Sequence, residues 1–159
     1  MPDLYLLRHG IAETDGSDPP LSPEGRTRMQ REARGMRRLG LSFDLILTSR
    51  LSRALQTARI VAEGLDLSDA VNVCDEAGPG CRLSGIASVL ALQGDQTRRV
   101  LVVGHQPDMG RLAADLIGAR EPVAFGRGTL ACLEVPQWPP APACVLLFLM
   151  PAEALESIR

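Results

Sequence analysis

The feature that most constrains this chain is an apolar run that stops abruptly in a cation, an imidazole and a glycine: Leu4-Tyr5-Leu6-Leu7-Arg8-His9-Gly10. A short continuous apolar run is the pattern of a strand covered on both faces of a sheet. The chain has two histidines, and the second stands in a matching context, Val100-Leu101-Val102-Val103-Gly104-His105. Each histidine is thus delivered to the end of a buried strand. What the chain can do depends on whether those two ends meet.

Between these strands the pattern alternates. Residues 10–21 are polar and rich in Gly, Pro and Asp, and predict a loop beside His9. Ser22-Pro23-Glu24-Gly25 opens a helix, with Ser22 as N-cap, Pro23 in the first position and Glu24 in the first turn. Met29, Ala33 and Met36 form its buried stripe, and Gly40 ends it. Phe43–Thr48 is a second strand. After the turn at residues 49–52, Ala54, Leu55, Ala58, Val61, Ala62 and Leu65 line the apolar side of a helix whose first turn carries Arg53. Residues 70–74 predict a third strand, Asp75–Gly80 a loop, and residues 83–93 a helix using Ile86, Val89 and Leu90. After the fourth strand and the His105-Gln106-Pro107 turn, Asp108 is the expected cap of a helix with the stripe Met109, Leu112, Ala113, Leu116, Ile117, ended by Gly118. Residues 129–135 and 143–149 are two more strands. Their connection is too short for a crossover helix, so they are expected to be antiparallel neighbours. The alternation predicts an α/β layered protein with a mostly parallel sheet and one reversed strand near the end.

Ligands of such sheets bind beyond the carboxyl ends of the strands. His9 and His105 both lie at that edge, with Arg8 beside His9 and Arg53 after the second strand. Two guanidiniums and two imidazoles make an oxyanion site, since the guanidinium fork matches phosphate oxygens. A neutral histidine there can attack phosphorus, and neighbouring arginines favour the neutral ring. A second histidine, if protonated, can bind a phosphoryl oxygen as charge spreads in the transition state. The arginines already supply positive charge, so neither metal nor cofactor is expected.

All 17 basic residues are arginine, and the net charge is −2, which gives no general case for nucleic-acid binding. Arg26, Arg31, Arg34, Arg37 and Arg38 gather on one face of the first helix. A solvated face is the plain reading, and a docking surface for an acidic partner is the sharper one. Cys74, Cys81, Cys132 and Cys144 form no Cys-x-x-Cys pair and read as free thiols. No apolar run reaches the roughly 18 residues of a membrane span. Nor does the N-terminus have the basic-then-apolar pattern of a signal peptide. A cytoplasmic monomer is expected.

The pieces now combine. Leu6-Leu7-Arg8-His9-Gly10, Ser49-Arg50-Leu51-Ser52-Arg53-Ala54-Leu55-Gln56-Thr57-Ala58 and Val102-Val103-Gly104-His105-Gln106-Pro107 resemble, in order, the three motifs of the histidine phosphatase superfamily. The start at Leu21-Ser22-Pro23-Glu24-Gly25-Arg26 is similar to its small SixA-type phosphohistidine phosphatases. The resemblance implies one domain over residues 1–159, a three-layer α/β/α sandwich and a mostly parallel mixed sheet of about six strands. It implies His9 as the phosphate-accepting nucleophile, Arg8 and Arg53 as phosphoryl ligands, and His105 as the group completing the pocket.

One departure from larger members concerns the proton donor. The segment where they place an acid reads Asp75-Glu76-Ala77-Gly78-Pro79-Gly80. Glu76 is its candidate donor, although an exposed or structural carboxylate fits that position as well. Alkoxide leaving groups want a general acid, whereas imidazole leaves more readily from a phosphohistidine. The expected substrate is therefore a phosphorylated histidine on a signalling or phosphotransfer protein, such as a histidine phosphotransfer domain. The alternatives are a small phosphorylated metabolite such as a sugar phosphate, and, in another class, a non-catalytic phosphate-binding module.

Overall fold

A computed structural model describes residues 2–159. Strands β1 (Asp3–Arg8), β2 (Leu45–Thr48), β3 (Val71–Val73), β4 (Arg99–Gly104), β5 (Leu130–Glu134) and β6 (Val145–Met150) form one sheet in the order β3-β2-β4-β1-β5-β6. β4 runs parallel to both β2 and β1, and β3 runs parallel to β2. β5 is antiparallel to both β1 and β6, and is the reversed strand that the short connection requires. The helices are α1 (Pro23–Arg38), α2 (Ser52–Gly64), α3 (Leu83–Ala91), α4 (Asp108–Ile117) and α5 (Ala152–Glu156).

The pleat of the central strands sorts the core into two layers. Leu4, Leu6, Val100 and Val102 pack with Ile86 and Leu90 of α3 and with Met109, Leu112 and Leu116 of α4. Tyr5, Leu7, Leu101 and Val103 pack with Met29 and Met36 of α1, Ala58 and Val61 of α2 and Leu155 of α5. Helices on both faces make the α/β/α sandwich, and explain why residues 4–7 of β1 and 100–103 of β4 are continuously apolar rather than alternating.

α1 starts where its sequence predicts. Ser22 is extended, its Oγ accepts from Gly25 N at 2.9 Å, and Gly40 closes the other end at φ 74°. α5 was not legible beforehand, because five residues are too few to display a helical period. It seats against α1 at Gly35, where a Cβ would lie 2.0 Å from the Leu155 carbonyl oxygen. Arg28 clamps it, reaching Glu153 at 3.2 Å and Glu156 at 3.1 Å.

Part of the arginine face is spent in the same way. Arg37 pairs with Asp66 at 2.8 Å and Arg38 donates to the Ile158 carbonyl at 2.6 Å, while Arg26, Arg31 and Arg34 are exposed. The four cysteines are free thiols. No helix among the described residues is long and apolar enough to cross a membrane.

Candidate active site

The register of the sheet brings the two histidines together. Arg8 pairs with Gly104 and Thr48 with Val103, so β1, β2 and β4 end nearly level. His9 N donates to the Gly104 carbonyl at 3.1 Å, and His105 follows directly. The two imidazole rings lie 5.3 Å apart, centroid to centroid, at 56°. The pleat that turns Leu7 and Val103 toward α2 carries His9 and His105 the same way. Arg53, in the first turn of α2, meets them there and donates its Nε–H to His9 Nε2 at 3.3 Å. Arg8 takes the opposite pleat position and donates Nη1 to the Phe125 carbonyl at 3.0 Å, in the segment leading to β5.

The ring of His9 is fixed in one tautomer. Its Nδ1 lies 2.7 Å from the Gly10 carbonyl oxygen, which can only accept, so the proton sits on Nδ1. The lone pair is therefore on Nε2, the atom beside Arg53. Burial pushes the His9 pKa down to about 4, with His105, Arg53 and Arg8 adding like-charge pressure against the pull of the Gly10 hydrogen bond. Burial and Arg53 bring His105 to about 4 as well, against an opposing pull from Asp108. Both rings are neutral at pH 7, and a phosphoryl dianion arriving between them would favour protonation of His105, whose role does not need a free lone pair.

Several buried polar atoms at this strand end have no protein partner: Arg8 Nε and both ring nitrogens of His105. Buried polar groups are ordinarily satisfied, and leaving one unpaired costs about 1–3 kcal/mol. A tetrahedral oxyanion at His9 Nε2 would offer acceptors to the Arg8 Nε–H and to a His105 N–H. The arrangement can hold an anionic group by its oxygens and present one uncharged nucleophilic nitrogen to its centre.

Around this pocket stand supports that motif reading missed. Thr57, fully buried one turn after Arg53, donates Oγ1 to the Arg53 carbonyl at 2.7 Å and accepts from Gly10 N at 3.1 Å. A hydroxyl on the buried side of an otherwise apolar helix was the available signal. α2 has no side-chain cap of its own. Asp18, from the 10–21 loop, accepts from Ser52 N at 2.9 Å and from Ser52 Oγ at 2.6 Å in that role.

One expectation changes near His105. Asp108 does not cap α4, because its carboxylate accepts instead from Gly80 N at 2.8 Å and ties down the Pro-Gly loop. Gln106 serves the helix, its Oε1 accepting from Gly110 N at 2.8 Å. Glu76 lies in a single 3₁₀ turn, Asp75–Ala77, exposed, with no hydrogen bond or ion pair of its carboxylate among the described residues. The structure thus gathers His9, Arg8, Arg53 and His105, and shows no hydrogen bond or ion pair between Glu76 and them.

Comparison with known proteins agrees with this geometry. Residues 4–75 match the model of the histidine phosphatase superfamily, branch 1. An uncharacterized protein of Picosynechococcus is 36% identical over 131 residues, covering 79% of this chain and 74% of that one. Phosphohistidine phosphatase SixA of Escherichia coli is 29% identical over 133 residues, covering 80% and 82%. Among solved structures, a protein histidine phosphatase SixA complexed with tungstate superposes with a TM-score of 0.83 at 23% identity, over 96% and 99% of the two chains. A phosphoserine phosphatase of Entamoeba histolytica shares the fold at a TM-score of 0.69 and 18% identity, over 98% and 100%. The strand-end motif, the paired histidines and these matches converge on one assignment: the chain belongs to the histidine phosphatase superfamily and is of SixA type.

Proposed function

We propose that this phosphatase hydrolyses phosphohistidine on a protein through a covalent intermediate at His9. The observation that carries the reading is the tautomer-fixed His9 Nε2 set beside unpartnered Arg8 Nε and His105 nitrogens. In the first step the Nε2 lone pair forms the Nε2–P bond. The P–N bond to the substrate imidazole breaks, and that nitrogen keeps the electron pair while the ring takes up a proton from water. In the second step water attacks phosphorus, the Nε2–P bond breaks, and inorganic phosphate leaves. Arg8, Arg53 and His105 bind the equatorial oxygens in both steps and offset their spreading charge.

Glu76 is exposed and makes no hydrogen bond to either histidine, which fits a leaving group that needs little acid assistance and supports phosphoramidates over sugar or serine phosphates. The test is a rapid-quench reaction with a phosphohistidine-bearing protein. An acid-labile, alkali-stable phosphoryl adduct is expected on the wild type and not on His9→Ala. Turnover without that adduct would refute the covalent route. A rate profile dominated by esters, and dependent on Glu76, would refute the substrate class.

A further inference from the structure

Arg127 stands outside everything assigned so far. It occupies the second position of a tight turn closed by Thr129 N donating to the Gly126 carbonyl at 3.0 Å, with Gly128 at φ 75° in the third position. That turn is bolted to the catalytic strand end. Gly128 N donates to the carbonyls of Arg8 (3.1 Å) and His9 (3.2 Å), and Arg8 N donates to the Thr129 carbonyl at 3.1 Å. On its other side, a Cβ at Gly128 would fall 2.2 Å from Glu32 Oε1, so the turn is packed as well as bonded. Arg127 itself is exposed and makes no hydrogen bond or ion pair among the described residues.

Its surroundings give it a task. Arg127 lines a cavity of about 660 Å³ with Ile11, Glu24, Arg28 and Thr129. β6 runs parallel to β1, so this cavity, which reaches Leu149 and Pro151 at the end of β6, opens at the same sheet edge as His9. Arg28 is already matched by Glu153 and Glu156. Arg127 is the cavity's guanidinium without an ion pair among the described residues, although the Glu24 carboxylate lines the same cavity. It also presses on Arg8, whose pKa is lowered by burial and then by the charges of Arg127 and Arg53. A phosphoryl dianion is balanced by Arg8 and Arg53, which leaves the Arg127 charge over. The bonded turn places the exposed Arg127 beside the other two cations, so the positive potential at this edge favours a second anion next to the phosphoryl group.

We propose that Arg127 selects substrates that carry a carboxylate next to the transferable phosphoryl group. This rests on the phosphohistidine reading in one respect: there the carboxylate is an Asp or Glu side chain flanking the phosphorylated histidine of the protein substrate. The same chemistry in a small molecule would be a carboxylate on the phosphate ester.

The test compares two phosphohistidine peptides that differ only in a flanking Glu or Gln. Wild type is expected to favour the Glu peptide roughly two- to fivefold in kcat/KM, mostly through KM, and less at high salt. In Arg127→Ala that ratio falls toward one, and in Arg127→Glu it inverts. A wild-type ratio of one overturns the proposal. So does a ratio that Arg127→Ala leaves intact while both rates drop together, since Arg127 would then act only through Arg8. If the chain turns over esters and no phosphohistidine, the same ratio is read on phosphoglycolate against ethyl phosphate. The phosphohistidine reading then fails, while the selection by Arg127 is still decided. If neither class turns over, calorimetric affinities of those two esters decide it by the same ratio.

Discussion

Replacing Glu32 should make this protein more stable, and by an amount that depends on pH. Glu32 sits in α1 at 2% exposure, with Oε2 unpartnered. Burial first, then the charges of Glu156 and Glu153, push its carboxyl from 4.5 up to about 9, against relief from Arg28. Between those two values the folded chain binds a proton that the unfolded chain has released. Stability therefore falls as pH rises, by about 1.4 kcal/mol per pH unit for this group. At pH 7 the deficit is about 3 kcal/mol, fully developed only near pH 9 and absent near 4.5. Glu32→Met keeps the side chain's length and removes the ionisation. Urea denaturation at pH 5, 6, 7 and 8 should show the variant close to wild type at the acid end. At pH 7 it should be about 3 kcal/mol more stable, or roughly 6–12 °C in thermal midpoint. A gap that stays constant with pH would show that packing, and not ionisation, sets the difference, and would refute the reasoning.

Three further outcomes are expected. The two histidines, followed by the C2 protons in an NMR titration, should both titrate well below 6.5 and close to 4; a midpoint near 6.5 for either would contradict its burial among arginines. Since folding depresses both, acid should destabilise the protein as pH falls from 6.5 through 4. Thr57→Val keeps the shape but strands the buried Gly10 N–H, and should cost about 1–3 kcal/mol in denaturation together with a lowered kcat. Gly128→Ala meets both a positive φ and the Glu32 side chain, so it should destabilise by at least about 1–2 kcal/mol; the coupling energy between Gly128→Ala and Glu32→Ala in a double-mutant cycle should report the steric share alone.

What the sequence made readable was whatever is encoded by contiguous apolar runs and local caps. β1 and β4 announce themselves because both of their faces are covered, and Ser22 because its bond partner is three residues away. The convergence of His9 and His105 follows from two strand ends in one parallel sheet, and Arg53 from its place in the turn of helix after a third. The misreadings are non-local. Asp108 looked like a cap because its own helix offers the nearest free N–H groups, yet Gly80, 28 residues earlier, claims the carboxylate. α5 is too short for a period to emerge, and its position depends on Arg28 and Gly35 of a distant helix. The arginine face read as one surface, but Arg37 and Arg38 are used to fasten Asp66 and Ile158. The Gly126–Thr129 turn has no hydrophobic pattern at all, and its meaning appears only once it is found bonded to Arg8 and His9.

In the proposed covalent route, the hydrogen bond from His9 Nδ1 to the Gly10 carbonyl also fixes which isomer of phosphohistidine forms at His9. With Nδ1 occupied by its proton, phosphorus can bond only to Nε2, giving τ-phosphohistidine; the π isomer would require the ring to abandon its own backbone. The regiochemistry of the trapped adduct is thus written in a contact one residue long, and a phosphorus–nitrogen correlation spectrum of the intermediate would read it directly, whichever substrate donated the phosphoryl group.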